Sequence, residues 1–361
     1  MLKRIFATIL AALLAVGLLA CGKGKGGVPD MDNHGQMPTV PPTEDNTETI
    51  TTPIIVNGKE AILCPWETDV TEQAKKDGRI HYYFMASHGL FMSAEESNPY
   101  KWGDGCLMVF PDGRTMLIDG GMEAYAPVIV ANLKRMGIKK LDYVMMSHSH
   151  NDHCYGLLCE GGVLESFPVG KIFWNGITCQ YWKDMDLIKR CNELGIPMEA
   201  LKKGDVRTFG NVTMEVLWPR NGHIGTGLNN TKEINNLSLT VCFSYKGHSS
   251  LFTGDLYVDG EEKLVNSCGE KLDVDLLKLP HHGSNTSSSA KLLCAVTPKL
   301  SVGTGYVEIL GTVMSRLVSV GSKVVYDWAN GYIHVSSDGT RLEYDTEQTR
   351  SEGKTKIILL P

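Results

Sequence analysis

Residues 147–153 read SHSHNDH, directly after the apolar run LDYVMM at 141–146. Three histidines and an aspartate in seven residues is a density of metal-capable side chains that a turn does not need for folding. In extended backbone, residues i and i+2 point the same way, so His148 and His150 can grip one ion. Asp152 and His153, past a bend, then face a second ion beside it. Imidazole and carboxylate donors suit Zn, Mn or Fe rather than Ca. Two adjacent ions need an anionic bridge and a further donor, and two other apolar runs end in such groups. LFTGDL supplies Asp255, and LKLPHHGS supplies His281 and His282. His281 comes first after its strand and is expected to be the ligand. His282 is then expected to contact substrate or protonate a leaving oxygen, although the spacing allows either order.

Around these motifs, strand and helix patterns alternate from Arg79 onward. RIHYYFMA, CLMVFP and TMLIDGG read as strands. YAPVIVANLKRMG reads as a helix with Pro127 in its first turn and Gly137 as its stop. KIFWNG, VTMEVLWP and the hairpin LSLTVCFSYKGHSSLFTGD follow, with a helix QYWKDMDLIKRCNELG between the first two. VDLLKLP, the helix SSSAKLLCAVTP, KVVYDWAN and YIHVSSDG close the chain. Interleaved strands and helices over some 280 residues predict an α/β sandwich in one domain, residues 79–361. Three strands that each end in ligands would form a single rim, where α/β folds place their chemistry.

The N-terminal segment reads differently. Lys3 and Arg4 precede an uncharged apolar stretch, and Leu18-Leu19-Ala20-Cys21 resembles a bacterial lipobox, so residues 1–20 are expected to be a signal peptide and Cys21 the lipidated N-terminus. Residues 21–53, rich in Gly, Pro, Thr and acidic side chains, read as a disordered tether. Residues 54–78 show no clear element of their own. Removal of residues 1–20 takes away two basic residues, leaving 33 against 41 acidic ones and a formal charge of −8. That balance argues against a general nucleic-acid coat. Of the ten cysteines, nine lie beyond Cys21 with no CxxC among them; they read as buried apolar groups rather than a disulfide framework.

Taken together and in this order, GDGCLMVFPDGRTMLIDGG, SHSHNDH, NNLSLTV, FTGD and LPHHGS resemble the metallo-β-lactamase superfamily, an αββα sandwich with a binuclear site between its sheets. Within it they most resemble the C-terminal domain of ComEC-type competence proteins and the teichoic-acid phosphorylcholine esterases. The resemblance implies that Asp119, in LIDGG, orients the histidine loop. Many relatives carry a further histidine between HxHxDH and the bridging aspartate. Here that interval holds only His223 and His248. His248 sits six strand residues from Asp255, roughly 20 Å at about 3.3 Å per residue, and is excluded. His223 stays possible as a ligand. Asn235, Asn236 and Ser238 occupy the expected place, with Asn236 and Ser238 as supporting groups. His34, His81, His88 and His334 read as structural or solvated.

The function expected is a lipid-anchored, extracytoplasmic metallohydrolase. His148, His150 and Asp255 would hold the first ion. Asp152, His153, Asp255 and His281 or His282 would hold the second, with Asp152 also counted as catalytic. Two divalent ions are implied, Zn first and Mn second, with a metal-bound hydroxide as nucleophile. The substrate class expected is a phosphodiester, in DNA or in a cell-wall polymer, and membrane contact runs through Cys21. No specific protein partner is expected. Hydrolysis of esters or lactams, or a non-catalytic binding lipoprotein, are the alternatives.

Overall fold

In the computed structural model, the structure describes residues 53–90, 103–177, 184–220, 230–305, 308–354 and 356–359. Cys21, nearly all of the tether, His34 and His223 lie outside them. β1 (Ile55–Val56) and β2 (Lys59–Glu60) form a small hairpin. The helix Val70–Asp77 follows, an element the sequence reading does not assign. Its start is fixed by Asp69, whose side chain accepts from the backbone of Thr71 and Glu72, and its end by Gly78 in the left-handed region. Val56, Cys64, Trp66, Val70 and Ala74 are buried with the outer face of the first sheet, so residues 54–78 pack on the sandwich.

The first sheet takes β3 (Ile80–Phe84), β4 (Cys106–Val109), β5 (Thr115–Ile118), β6 (Leu141–Met145), β7 (Val169–Trp174) and β8 (Met198–Ala200). The second takes β9 (Val206–Phe209), β10 (Val212–Trp218), β11 (Thr240–Tyr245), β12 (His248–Phe252), β13 (Leu276–Lys278), β14 (Leu300–Gly303) and β15 (Lys323–Tyr326). The chain then returns to the first sheet with β16 (Ile333–Ser337), β17 (Leu342–Thr346) and β18 (Ile357–Leu359). The orders are β18-β17-β16-β3-β4-β5-β6-β7-β8 and β15-β14-β13-β12-β11-β10-β9. β5 through β8 run parallel, as do β12 through β15; the other pairings are antiparallel.

Period-two alternation explains the layers. Ile80, Tyr82 and Phe84 of β3, with Cys106 and Met108 of β4, meet Met214, Val216, Val241 and Phe243 of the second sheet in a core between the sheets. Tyr83, Leu107 and Val109 face outward under the helix Ala126–Arg135. That helix has Pro127 in its first turn, and Gly137 at φ 77° follows its end, as the sequence predicts. Leu251 and Leu277 point to the opposite outer layer, beneath the helices Val258–Cys268, Ala290–Val296 and Gly311–Ser319. The result is the expected αββα sandwich. The C-terminal ends of β5, β6, β12, β13 and β14 lead into Asp119, the histidine loop, Asp255, the histidine doublet and Thr304 on one rim.

Candidate metal centre

The histidine loop is held by its first residue. Ser147 donates its backbone N–H to Asp119 Oδ1 at 2.7 Å and its hydroxyl to Oδ2 at 2.8 Å. The backbone is extended at His150, which precedes a helix, Asn151–Leu158, so Asp152 and His153 lie in a helical first turn rather than past a simple bend. His153 Nδ1 lies 2.9 Å from Asp119 Oδ2, which turns its Nε2 to 3.4 Å from Asp255 Oδ2. His282 Nε2 reaches the same oxygen at 3.3 Å and Asp152 Oδ2 at 3.6 Å. Asp152, His153, Asp255 and His282 thus offer four donor atoms within 4.8 Å of one another. His153 Nε2, His282 Nε2 and Asp255 Oδ1 are buried and make no hydrogen bond among the described residues. Buried polar atoms are seldom left so, and a divalent cation fits these donors.

His148 and His150 stand beside this quartet. The ring centroids of His148 and His153 are 4.1 Å apart, and His148 Nε2 lies 3.0 Å from His150 Nδ1. The doublet departs from expectation. The sequence reading favours His281 as ligand, but it is the fully buried His282 that joins the quartet. The His281 side chain is 12% exposed, its Nδ1 pairs with Thr286 Oγ1, and its Nε2 stays 3.7 Å from Asp255. The reason is backbone: both histidines have positive φ, 47° and 61°, so the strand's alternation does not carry through the doublet.

The profile of the Metallo-beta-lactamase superfamily matches residues 106–159. Over 219 residues the chain is 26% identical to ComE operon protein 3 of Bacillus subtilis (strain 168), covering 55% of this chain and 26% of that protein. It is 30% identical over 207 residues to competence protein ComA of Neisseria gonorrhoeae, covering 55% and 25%. Among solved structures, the metallo-beta-lactamase fold protein YhfI from Bacillus subtilis overlaps 69% of this chain and 95% of its own, with 14% identity and a TM-score of 0.44. The fold is that of the metallo-β-lactamase superfamily. The chain spans about a quarter of the length of the curated relatives it matches, and resembles the ComEC type in that part.

Of Asn235, Asn236 and Ser238, which the sequence puts where a further histidine is expected, Asn235 comes first in the chain. It is buried, and its Oδ1 makes no hydrogen bond among the described residues. Asn236 and Ser238 act one step further out: Asn236 Oδ1 accepts from Tyr257 N at 3.2 Å, and Ser238 Oγ from Asp255 N at 3.0 Å. His248 lies at the far end of β12, 3.3 Å from both the Tyr82 hydroxyl and Asp275. Asp104 is the residue sequence reasoning passes over. It lies 178 positions from His282 in the chain yet 3.0 Å from its Nδ1, and only its place in GDGCLMV, before the first motif strand, hints at it.

Electrostatics match the donor set. Burial holds His148 well below the usual imidazole range and lowers His150 as well, keeping both neutral as metal ligands must be. Burial also opposes the charged forms of His153 and His282, but carboxylates outweigh it. Asp255, Asp152 and Asp119 carry His153 well above the usual range; Asp255 and Asp104 carry His282 to about 10. Asp255 is pushed up by burial and held well below the carboxylate range by His282, His153 and His281. The rim is therefore built for positive charge at its centre.

Proposed function

We propose that the chain is a binuclear-metal hydrolase, held outside the cytoplasm by lipid on Cys21, that cleaves phosphodiesters in DNA or in cell-wall polymers. The observation that carries this reading is the buried quartet with both Nε2 atoms and Asp255 Oδ1 unbonded. Bound divalent ions, Zn or Mn, would supply Lewis-acid polarisation of a phosphoryl oxygen and a lowered pKa for water. The chain's own residues set the geometry. Asp152, His153, Asp255 and His282 would hold one ion, and His148 and His150 with Asp255 would hold the other. His281, at the edge of the group and against the Tyr257 ring at 4.8 Å between centroids, is the side chain within reach of substrate. Asn235 in place of an imidazole leaves the site one histidine fewer, which favours anionic oxygen ligands from a phosphodiester.

The test begins with divalent-ion content of the purified full chain. Turnover is then measured on single- and double-stranded DNA, a phosphorylcholine phosphodiester and a β-lactam. One relative carries competence in its name, which makes DNA the first substrate to try. Phosphodiester turnover that a chelator stops is expected. Uptake of no divalent ion, or turnover of the lactam alone, would overturn the reading. For the anchor, Cys21→Ala should free the protein from the membrane fraction with its specific activity intact. Retention there would mean that residues 1–20 remain as an uncleaved anchor.

A further inference from the structure

Lys278, the last residue of β13, is 3% exposed, in the interior beside the candidate centre. Its ammonium pairs with Asp104 Oδ2 and lies 3.5 Å from the carbonyl oxygen of Gly254, the residue before Asp255. The other oxygen of Asp104 accepts from the Thr304 hydroxyl and lies 3.0 Å from His282 Nδ1. The backbone of Asp104 is tied as firmly. Its N–H donates to the carbonyl of Asp152 at 3.2 Å, and its carbonyl accepts from Gly121 N at 2.9 Å. Gly103 is pressed so close to the Asp152 carbonyl that a Cβ there would sit 1.4 Å from the oxygen.

We propose that Asp104, clamped by Lys278 and Thr304, is the positioning residue that fixes His282 with Nε2 toward the ion, as Asp119 does for His153. The inference rests on the metallohydrolase reading above. A carboxylate accepting from Nδ1–H sets both the tautomer and the ring angle of a metal-bound imidazole. Asp104 does this while its main chain braces Asp152, so one residue registers two members of the quartet. The ammonium supplies what a second buried carboxylate needs. Asp104, Asp119 and His153 together form another group with metal-ligand spacing, and Lys278 provides a fixed cation beside it. Lys278 is not a substrate contact: the cavity it shares with Asp104, Asp119, Ser147 and Thr304 has a volume of about 10 Å³, room for about one water. A buried ion pair is weak as a source of stability, and its known use is to specify one geometry.

Zn2+ and Co2+ binding to the full chain tests this, with ion content, the dissociation constant of each ion and the Co2+ absorption spectrum as readouts. Asp104→Asn should weaken one ion by roughly 10–100-fold, change its Co2+ bands, and lower kcat for a phosphodiester with KM nearly unchanged. Lys278→Met leaves a buried carboxylate without its counter-charge and can fail to fold, so the double variant Asp104→Asn/Lys278→Met, which buries no lone charge, decides the matter. It should melt near wild type without ions and still show the selective loss. Wild-type affinity for both ions in that double variant, or equal weakening of both, would sink the positioning role and leave the metallohydrolase reading standing. A wild-type chain that takes up no ion would instead remove the reading on which the role rests.

Discussion

Two pairs of buried histidines can be set side by side in this molecule. His81 and His334, on β3 and β16, stack 5.2 Å apart, with His81 Nδ1 and His334 Nε2 separated by 3.0 Å. Asp77 closes one end at 3.1 Å and Asp345 the other at 2.8 Å. All four ring nitrogens are used. His153 and His282 each spend Nδ1 on an aspartate, at 2.9 and 3.0 Å, but turn Nε2 toward Asp255 without a hydrogen bond. A closed set of partners marks a structural pair; converging unbonded nitrogens mark a site that accepts a cation. One unbonded nitrogen is not enough. His248 Nδ1 also makes no hydrogen bond, but it faces the single carboxylate of Asp275.

The contrast breaks most severely at the acceptor both open nitrogens share. Asp255→Asn should abolish phosphodiester turnover and empty at least one ion position, since a neutral amide cannot offset the charge gathered there. Full ion content with activity retained would mean that the convergence on Asp255 is incidental.

Next comes the doublet. His282→Ala should lose an ion, whereas His281→Ala should keep both and slow turnover by roughly 10²–10⁴, the range of acid–base assistance. Metal analysis beside kinetics separates them. Loss of the ion in His281→Ala and not in His282→Ala would reverse the roles assigned by burial.

At the closed pair the effect should fall on stability alone. His334→Ala leaves His81 and Asp345 each short of a partner and should cost about 1–3 kcal/mol, read from denaturant melts, with ion content unchanged. Loss of bound ion there would dissolve the distinction between the two pairs.

The last effect is in pH. Burial lowers His334 to about 4, with His81 adding to the shift and Asp345 opposing it, against about 6.5 in the unfolded chain. The unfolded chain therefore takes up this proton first as pH falls. The contribution to stability is complete above pH 6.5, declines between 6.5 and 4, and is gone below 4. The ion-free protein should melt about 3 °C lower or more across that window, and His334→Gln should flatten the slope. An identical slope in the variant would assign it to other groups.

The sequence is legible where chemistry sits at the end of a periodic run. β6, β12 and β13 each end at a motif, and the alternation of Ile80, Tyr82 and Phe84 gives the inner face directly. Legibility stops where backbone leaves that period. His281 and His282, both with positive φ, cannot be ordered from strand parity. Asp152 and His153 sit in a helical turn that begins inside the motif. Asp104 meets His282 only because β4, β5 and β13 converge, and a pairing across 178 residues leaves no local pattern. Asn235 differs from its neighbours Asn236 and Ser238 only in which way one short turn faces.

The glycines around the rim bear on how such a protein can diverge. A Cβ on Gly103 would collide with the Asp152 carbonyl, and one on Gly156 would lie 1.9 Å from the carbonyl of Gly120. Those main-chain contacts lock the ligand loops together and tolerate no side chain, so mutation there is closed to selection. Leu310 and Val258 are exposed apolar residues, 48% and 40% accessible; Val258 starts the helix after β12 and Asp255, and Leu310 precedes the helix after β14 and Thr304. Substitutions at these positions meet no comparable barrier. Buried backbone contacts and exposed helix starts can then drift at different rates along one chain, and a library randomised at 258 and 310 should recover folded, ion-binding variants far more often than one randomised at 103 and 156.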